Sequence, residues 1–307
     1  MQLQEKYFQS SDLITGGSGL VGSSLSGGMK PSSKELNLLS PTSTIEWFED
    51  KSPKRVVHCA GRVGGIKANM EKKATFFREN ILMSLNLLEA CRVYKVEKVV
   101  SFLSTCIFPD KAVYPLTPAQ ITSGPPHSSN YGYAYAKRML HIQSMAYREE
   151  YGMNIVSLIP CNIYGPHDNF NLQTSHVLPA LIHKFYLAKK NDEDVEIWGT
   201  GKEKREFLFS QDLNDIITWA LDEYEDETPL IVSPEEEYEI GEVVQIIKEE
   251  FDFSGTIFYN GEMSGQLRKP SDSTKFYEIA TPNLTPIDVG IRKTVKWFVQ
   301  NYKKARI

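Results

Sequence analysis

The stretch Asp12-Leu-Ile-Thr-Gly-Gly-Ser-Gly-Leu-Val-Gly22 decides the fold of this chain. A short strand-like segment runs into a turn in which Gly16, Gly19 and Gly22 have the spacing G-x-x-G-x-x-G, and a helix is predicted to begin there. Such a turn presents backbone N–H groups at a helix N-terminus, where a pyrophosphate can bind. Glycine allows both the tight turn and the close approach of a ligand to the backbone. By itself the turn is weak support for that function, because many glycine-rich turns are only turns.

Strands and helices alternate outward from this turn. Candidate strands cover Arg55–Ala60, Lys98–Leu103 and Asn154–Ile159. Candidate helices cover Asn69–Tyr94 and Tyr131–Tyr151. The strand that begins at Lys98 is almost continuously apolar, as strands buried on both faces are. The alternation predicts an α/β fold with a Rossmann-like, doubly wound parallel sheet and helices on both of its faces.

The pattern of predicted strands and helices changes after about residue 165. A loop rich in Pro, His and Asn is followed by shorter elements, which favour a smaller mixed α/β lobe. We therefore expect a dinucleotide-binding domain over residues 1–165 and a substrate-binding lobe over 166–307, with some of the chain crossing back. The predicted strands of the second part lie near 195–198, 206–209 and 256–259, and its helices near 177–190, 211–225, 240–251 and 289–304.

Composition excludes several classes of protein. The 307 residues are 41% hydrophobic and 24% charged with a net charge of −5, which is ordinary for a globular chain and unlike a disordered one. The mild acidity argues against general nucleic-acid binding, and no apolar run is long enough to span a membrane. The chain has no apolar leader segment, its four cysteines form no C-x-x-C pair, and no metal site is predicted. These features favour free thiols and a cytoplasmic location.

A second constellation comprises Ser104, Tyr133 and Lys137. Ser104 follows the strand that ends at Leu103, and ligands of open α/β sheets bind beyond the carboxyl ends of strands. Tyr133 and Lys137 have the spacing Y-x-x-x-K, so on a helix both side chains reach one ligand. A tyrosine has a pKa of about 10, and a nearby lysine cation is expected to lower that pKa toward neutrality. Together with the glycine turn, this set indicates acid–base chemistry beside a bound dinucleotide.

This combination resembles the extended short-chain dehydrogenase/reductase family and, within it, the GDP-L-fucose synthases. The resemblance covers nearly the whole chain in the expected order, and its Ser-Thr-Cys and Gly-Pro-His-Asp-Asn-Phe blocks are more specific than the general motifs. The blocks that carry it are Val63–Ile66, Ser104–Pro109, Asn162–Phe170, Ser175–Pro179, Trp198–Gly201, Arg205–Phe207 and Gly265–Lys269.

The resemblance implies epimerisation of GDP-4-keto-6-deoxy-D-mannose at C3 and C5, then reduction of its C4 ketone with NADPH. It assigns Cys106 as the base and His176 as the acid of epimerisation. Tyr133 would donate a proton to the C4 oxygen while Ser104 bonds that oxygen. Lys137 would tune Tyr133 and bond the nicotinamide ribose.

The resemblance also implies two sets of binding residues and a homodimer formed through the Y-x-x-x-K helix and its neighbour. The NADP-binding set is Gly16, Gly17, Ser18, Gly19, Leu20, Val21, Gly22, Ser33, Lys34, Lys137, Pro160, Asn162, Ile163 and His176. The set for the GDP sugar is Lys184, Trp198, Arg205 and Lys269.

Three features depart from the family pattern. Between Gly22 and Ser32 the chain is too short for a full crossover helix and strand, so we expect a helix of a turn or two and a second strand that is shortened or missing. A weakened adenosine site, a tolerated deletion and an incorrect gene model all remain open explanations. Cys161 stands where the family has threonine, and Ser264 where it has aspartate.

Two alternative functions follow from the same residues. One is a different nucleotide-sugar epimerase or reductase of this fold. The other is a degraded, non-catalytic nucleotide-sugar-binding protein, which the short segment after Gly22 favours and the intact set of acid–base residues opposes.

Overall fold

The computed structural model describes residues 8–261 and 267–307, so the predictions about Ser264 and Gly265 lie outside the described residues. The strands are Phe8–Thr15 (β1), Gly27–Met29 (β2), Arg55–His58 (β3), Lys98–Phe102 (β4), Ile155–Pro160 (β5), Asn162–Tyr164 (β6), Val195–Ile197 (β7), Lys204–Arg205 (β8), Phe207–Phe209 (β9), Leu230–Val232 (β10), Tyr238–Glu239 (β11) and Ile257–Tyr259 (β12). The α-helices are Leu20–Ser24 (α1), Pro41–Lys51 (α2), Ile66–Glu71 (α3), Lys73–Val93 (α4), Tyr131–Tyr151 (α5), Val177–Asn191 (α6), Leu213–Asp222 (α7), Ile240–Glu250 (α8), Thr274–Ala280 (α9) and Ile287–Asn301 (α10). Short 3₁₀ helices occupy Thr105–Ile107, Pro118–Gln120, Ser210–Asp212 and Tyr302–Lys304.

A six-stranded parallel sheet in the order β10-β5-β4-β3-β1-β2 forms the centre of the molecule. Neighbouring residues of its strands point to opposite faces. Leu13 and Val99 pack into one apolar cluster, whereas Ile14 and Val100 pack into another. Two cores therefore cover the two faces of the sheet, which confirms the predicted doubly wound α/β fold.

The crossover after the glycine turn is short, as expected. Helix α1 has five residues and β2 has three. Gly27 and Gly28 both have positive φ, and a Cβ on Gly27 would lie 2.4 Å from the carbonyl oxygen of Phe8. The two glycines thus bring β2 against β1 at a distance that a side chain would prevent.

The second half builds a lobe with its own aromatic core. Helices α6, α8 and α10 pack around buried side chains that include Phe170, Phe185 and Phe298. Two-stranded pairs β6–β9, β7–β12 and β8–β11 complete the lobe. Strand β10 leaves it and pairs with β5 in the central sheet. Within residues 8–261 and 267–307, none of the helices combines the length and apolar character that a membrane span requires.

Several predicted boundaries need correction. The single helix expected over Asn69–Tyr94 is two helices, α3 and α4, because Lys72 leaves helical geometry with φ −123° and ψ 36°. The strand expected to reach Ala60 ends at His58, and the one expected to reach Leu103 ends at Phe102. Helix α5 has the predicted bounds.

Candidate active site

One cavity of about 320 Å³ brings together residues that are far apart in the chain. Its wall combines the loop after β4, the start of α6 and the segment after β7. Eight of the residues predicted for the site line it, namely Cys106, Asn162, Ile163, His176, Lys184, Trp198, Arg205 and Lys269. Ser104, Tyr133 and Lys137 are absent from this wall. Ser104 and Tyr133 contact Cys106, which lines it, and Lys137 lies beside the Tyr133 ring.

The glycine turn has the geometry that a dinucleotide requires. Gly16 has φ +68°, and the Gly19 N–H donates to its carbonyl oxygen at 2.9 Å. A Cβ on Gly22 would lie 2.4 Å from that same oxygen, and a Cβ on Gly16 would lie 2.9 Å from the backbone of Ala60. Side chains at these positions would therefore disrupt the turn, whose backbone is left bare for a nucleotide diphosphate. The residues present fit such a group.

Ser104 and Tyr133 form a connected pair behind the cavity. Ser104 caps the 3₁₀ helix Thr105–Ile107, and its hydroxyl accepts from the backbone N–H of Cys106 at 3.3 Å. The buried Tyr133 lies in α5 and packs with Cys106. Burial raises the pKa of Tyr133, the nearby Cys106 raises it further, and a hydrogen bond with Ser104 opposes both effects.

Lys137 does not act on Tyr133 as expected. Its Nζ donates to the carbonyl oxygen of Phe102 at 2.7 Å and lies 5.9 Å from the centroid of the Tyr133 ring. Burial lowers the pKa of Lys137 to about 8. Contrary to the expectation, burial raises the pKa of Tyr133, and Lys137 does not lower it. A neutral Tyr133 keeps the proton that a general acid has to donate.

Cys106 lies near two cations that sequence reasoning had assigned to the nucleotide end. Burial lowers the pKa of Lys269 and that of Arg205, and electrostatic interaction with Cys106 opposes the effect at both. No spacing in the sequence places Lys269 beside Cys106, so this proximity is a product of the fold.

His176 stands at the start of α6, facing the cavity. It is the N-cap residue of that helix, and its carbonyl oxygen accepts from the Ala180 N–H at 3.1 Å. Desolvation of the imidazole in the cavity wall lowers the pKa of His176, although the residue keeps access to solvent. Cys106 and His176 thus lie in the wall of one cavity.

Lys184 and Trp198 place a cation beside an aromatic face in the cavity wall. The Nζ of Lys184 lies 4.8 Å from the centroid of the Trp198 ring and donates to the carbonyl oxygen of Glu196 at 2.8 Å. Trp198 is 53% exposed although it lines the cavity, so its ring is available for stacking. An aromatic face beside a lysine suits a nucleobase with its phosphates.

Of the other residues predicted to bind the cofactor, some lie at the cavity and some lie in the exposed turn beyond β2. Asn162 donates to the carbonyl oxygen of Glu206 at 2.8 Å and lines the cavity with Ile163, while Pro160 ends β5 beside them. Ser33 and Lys34 lie exposed in the turn beyond β2.

Sequence reasoning missed Lys30, which follows β2 directly. Its Cβ would lie 2.6 Å from a Cβ placed on Gly17, so its side chain packs on the glycine turn. Its Nζ donates to the carbonyl oxygen of Leu25. The available signal was a lysine at the end of the second strand, where nucleotide-binding folds read the ribose 2′ position.

A family model described as the NAD dependent epimerase/dehydratase family matches residues 13–241. A GDP-L-fucose synthase of Dictyostelium discoideum is 46% identical over 310 residues, which cover 96% of this chain and 97% of the relative. A probable GDP-L-fucose synthase of Drosophila melanogaster is 38% identical over 316 residues, which cover 96% of this chain and 98% of that one.

The fold similarity is equally extensive. A crystal structure of a GDP-L-fucose synthetase from Naegleria fowleri bound to NADP matches with a TM-score of 0.92 and 36% identity, covering 100% of this chain and 99% of that chain. The likeness therefore includes both the central sheet and the second lobe.

Proposed function

The chain belongs to the NAD dependent epimerase/dehydratase family, and from this premise we propose that it converts GDP-4-keto-6-deoxy-D-mannose into GDP-L-fucose. The observation that carries the proposal is the single cavity in which Cys106 and His176 lie with Lys184 and Trp198. An acid–base pair and a nucleotide-binding end in one enclosure suit a sugar that is changed while its nucleotide stays bound.

Epimerisation uses the acidity of carbons beside a ketone. Cys106, which lies near Arg205 and Lys269, acts as the base that removes the proton from C3 or C5 and leaves an enolate on the C4 oxygen. Ser104 and Tyr133 bond that oxygen and stabilise its charge. His176 returns a proton to the opposite face of the ring, which inverts the carbon.

Reduction uses the same ketone. NADPH, when bound, supplies a hydride to C4. The neutral Tyr133 donates its proton to the developing C4 alkoxide, and Ser104 keeps the oxygen in place. Lys137 lies in α5, and its Nζ reaches the end of β4. There it is positioned to contact the nicotinamide ribose and then to replace the proton lost by Tyr133.

The cofactor would extend from the glycine turn toward this ketone. Residues 16–22 would hold the diphosphate, while Pro160, Asn162, Ile163 and His176 would border the nicotinamide. Ser33 and Lys34 remain candidates for the 2′-phosphate, and Lys30 joins them because it already contacts the turn. A cation at this position favours NADPH over NADH.

The division of labour follows the expected domains. Residues 1–165 would bind the cofactor, and residues 166–307 would bind most of the GDP sugar through Lys184 and Trp198. All four cysteines are free thiols, which is consistent with activity in the cytoplasm.

A homodimer would cover an apolar stripe on α5. Tyr135, Met139, Ile142 and Met145 recur at helical spacing and are 39–46% exposed. Helix α4 packs beside α5 and exposes Leu85. A second copy of this chain, related by a two-fold axis, would bury both helices in one interface.

The proposed function is tested by mixing the purified protein with NADPH and GDP-4-keto-6-deoxy-D-mannose. Loss of NADPH absorbance with formation of GDP-L-fucose supports it. UDP- and dTDP-linked 4-keto sugars serve as matched controls, and a preference for either of them would assign a different nucleotide sugar. Binding without turnover would favour the non-catalytic alternative.

A further inference from the structure

Asn69 presents an unused hydrogen-bond acceptor at the cavity wall. The residue lies in α3, is 7% exposed and lines the cavity. Its Nδ2 donates to the carbonyl oxygens of Gly64 at 2.6 Å and Gly65 at 3.1 Å. Its Oδ1 accepts no hydrogen bond from any residue that the structure describes.

The two glycine carbonyls fix the orientation of this amide. Both can only accept hydrogen bonds, so the NH₂ end of Asn69 has to face them and the oxygen has to face the other way. An acceptor that is buried without a partner is costly, and a water molecule, an ion or a ligand can satisfy it. Because Asn69 lines the cavity, a donor carried by a bound substrate would satisfy its Oδ1.

The position of Asn69 identifies the part of the substrate. The preceding residue, Ala68, packs in one cluster with Phe76 and Tyr133, and Cys106 contacts that cluster. Asn69 thus follows directly on a residue that packs with the acid–base groups, whereas Lys184 packs on Trp198. A donor beside Asn69 would therefore come from the hexose.

Two further polar atoms at the same wall lack partners. The Oγ of Ser175, next to His176, and the Oδ1 of Asn130, at the start of α5, form no hydrogen bond within residues 8–261 and 267–307. Both residues line the cavity. Several unpaired polar atoms around one space suit a polyhydroxylated ligand.

We propose that the Oδ1 of Asn69 accepts a hydrogen bond from a ring hydroxyl of the hexose and thereby positions the sugar over Cys106. This inference rests on the proposed function. In a 4-keto-6-deoxyhexose the hydroxyls left on the ring, apart from the nucleotide linkage, are those on C2 and C3. Asn69 therefore accepts a hydrogen bond from the hydroxyl on C2 or from the one on C3.

The test compares binding of GDP-L-fucose and of GDP by calorimetry in wild type and Asn69→Ala. We expect GDP-L-fucose to bind at least about tenfold more weakly to the variant, which corresponds to about 1.4 kcal/mol. Binding of GDP and of NADPH should stay within about twofold of wild type, because neither contacts Asn69 in this account. Trp198→Ala is the matched contrast, since it should weaken GDP itself.

A second measurement needs no variant. Wild type should lose at least about tenfold in affinity for either the 2-deoxy or the 3-deoxy analogue of GDP-L-fucose. The analogue that lacks the bonded hydroxyl should bind equally to wild type and Asn69→Ala. Equal losses in the variant for GDP and GDP-L-fucose, or for every deoxy analogue, would overturn the assignment. These binding experiments give their answer whether or not the chain turns over its proposed substrate.

Discussion

Replacing Lys137 with methionine should stabilise the fold while it abolishes reduction. Burial lowers the pKa of Lys137 from its ordinary 10.5 to about 8. A tenfold change in a protonation equilibrium is worth about 1.4 kcal/mol, so the charged ammonium costs the folded chain about 3 kcal/mol at about pH 7. Lys137 is only 5% exposed, so water screens little of this cost.

The stability difference between Lys137→Met and wild type should depend on pH. Between the folded pKa of about 8 and the ordinary 10.5, the unfolded chain keeps the proton that the folded chain has released. The free energy of unfolding of wild type therefore rises with pH in this window. Removal of the buried charge alone should stabilise Lys137→Met by about 3 kcal/mol near pH 7 and by about 1 kcal/mol near pH 9.5. Loss of the hydrogen bond to the Phe102 carbonyl oxygen subtracts about 1 kcal/mol at every pH, so the net advantage should fall from about 2 kcal/mol near pH 7 to about zero near pH 9.5.

Urea unfolding of both proteins at the two pH values measures this difference. Lys34→Met removes an exposed lysine and controls for the loss of one positive charge. A stability difference between Lys137→Met and wild type that stays constant across the window would refute the reasoning, because a buried titrating ammonium could not then be its cause.

Three further predictions concern catalysis, assembly and the cofactor. Cys106→Ser and His176→Gln should each slow deuterium exchange at C3 and C5 by about 10²-fold or more, measured by NMR, because each removes one partner of the proton transfer; wild-type exchange would contradict the roles. Met139→Glu places a charge in the apolar stripe of α5 and should shift the protein to monomer in sedimentation, whereas an unchanged mass would argue against that interface. Lys30→Met should weaken NADPH binding about tenfold and leave NADH unchanged in fluorescence titrations; a larger loss in Lys34→Met would transfer the 2′-phosphate contact to that residue.

Features that depend on local sequence could be predicted. The glycine turn and the short crossover follow from residues that are neighbours in the chain, so their geometry was available from spacing alone. Helix α5 ends at Gly152, whose φ of +64° is the conformation that glycine adopts most readily after a helix.

Features that depend on contacts between residues far apart in the chain could not be predicted from the sequence. Strand β10 pairs with β5 across more than sixty intervening residues, and its three apolar residues are too short a run to show which strand they pair with. No glycine or proline marks the break at Lys72 between α3 and α4, so the sequence predicted one helix.

The electrostatics of the site show the same limit. The pattern Y-x-x-x-K places Tyr133 and Lys137 on one helix face, as expected. It does not reveal that Lys137 bonds the Phe102 carbonyl oxygen, or that burial raises the pKa of the phenol. Likewise, only the fold brings Lys269 near Cys106.

In the proposed function, one cavity epimerises the sugar through Cys106 and His176 and reduces its ketone through Tyr133. The most direct measurement incubates Tyr133→Phe with GDP-4-keto-6-deoxy-D-mannose and NADPH in deuterated water, with NMR of the sugar and absorbance of NADPH followed together. We expect deuterium at C3 and C5 with no oxidation of NADPH. Oxidation of NADPH at the wild-type rate, or loss of exchange together with reduction in the folded variant, would contradict it.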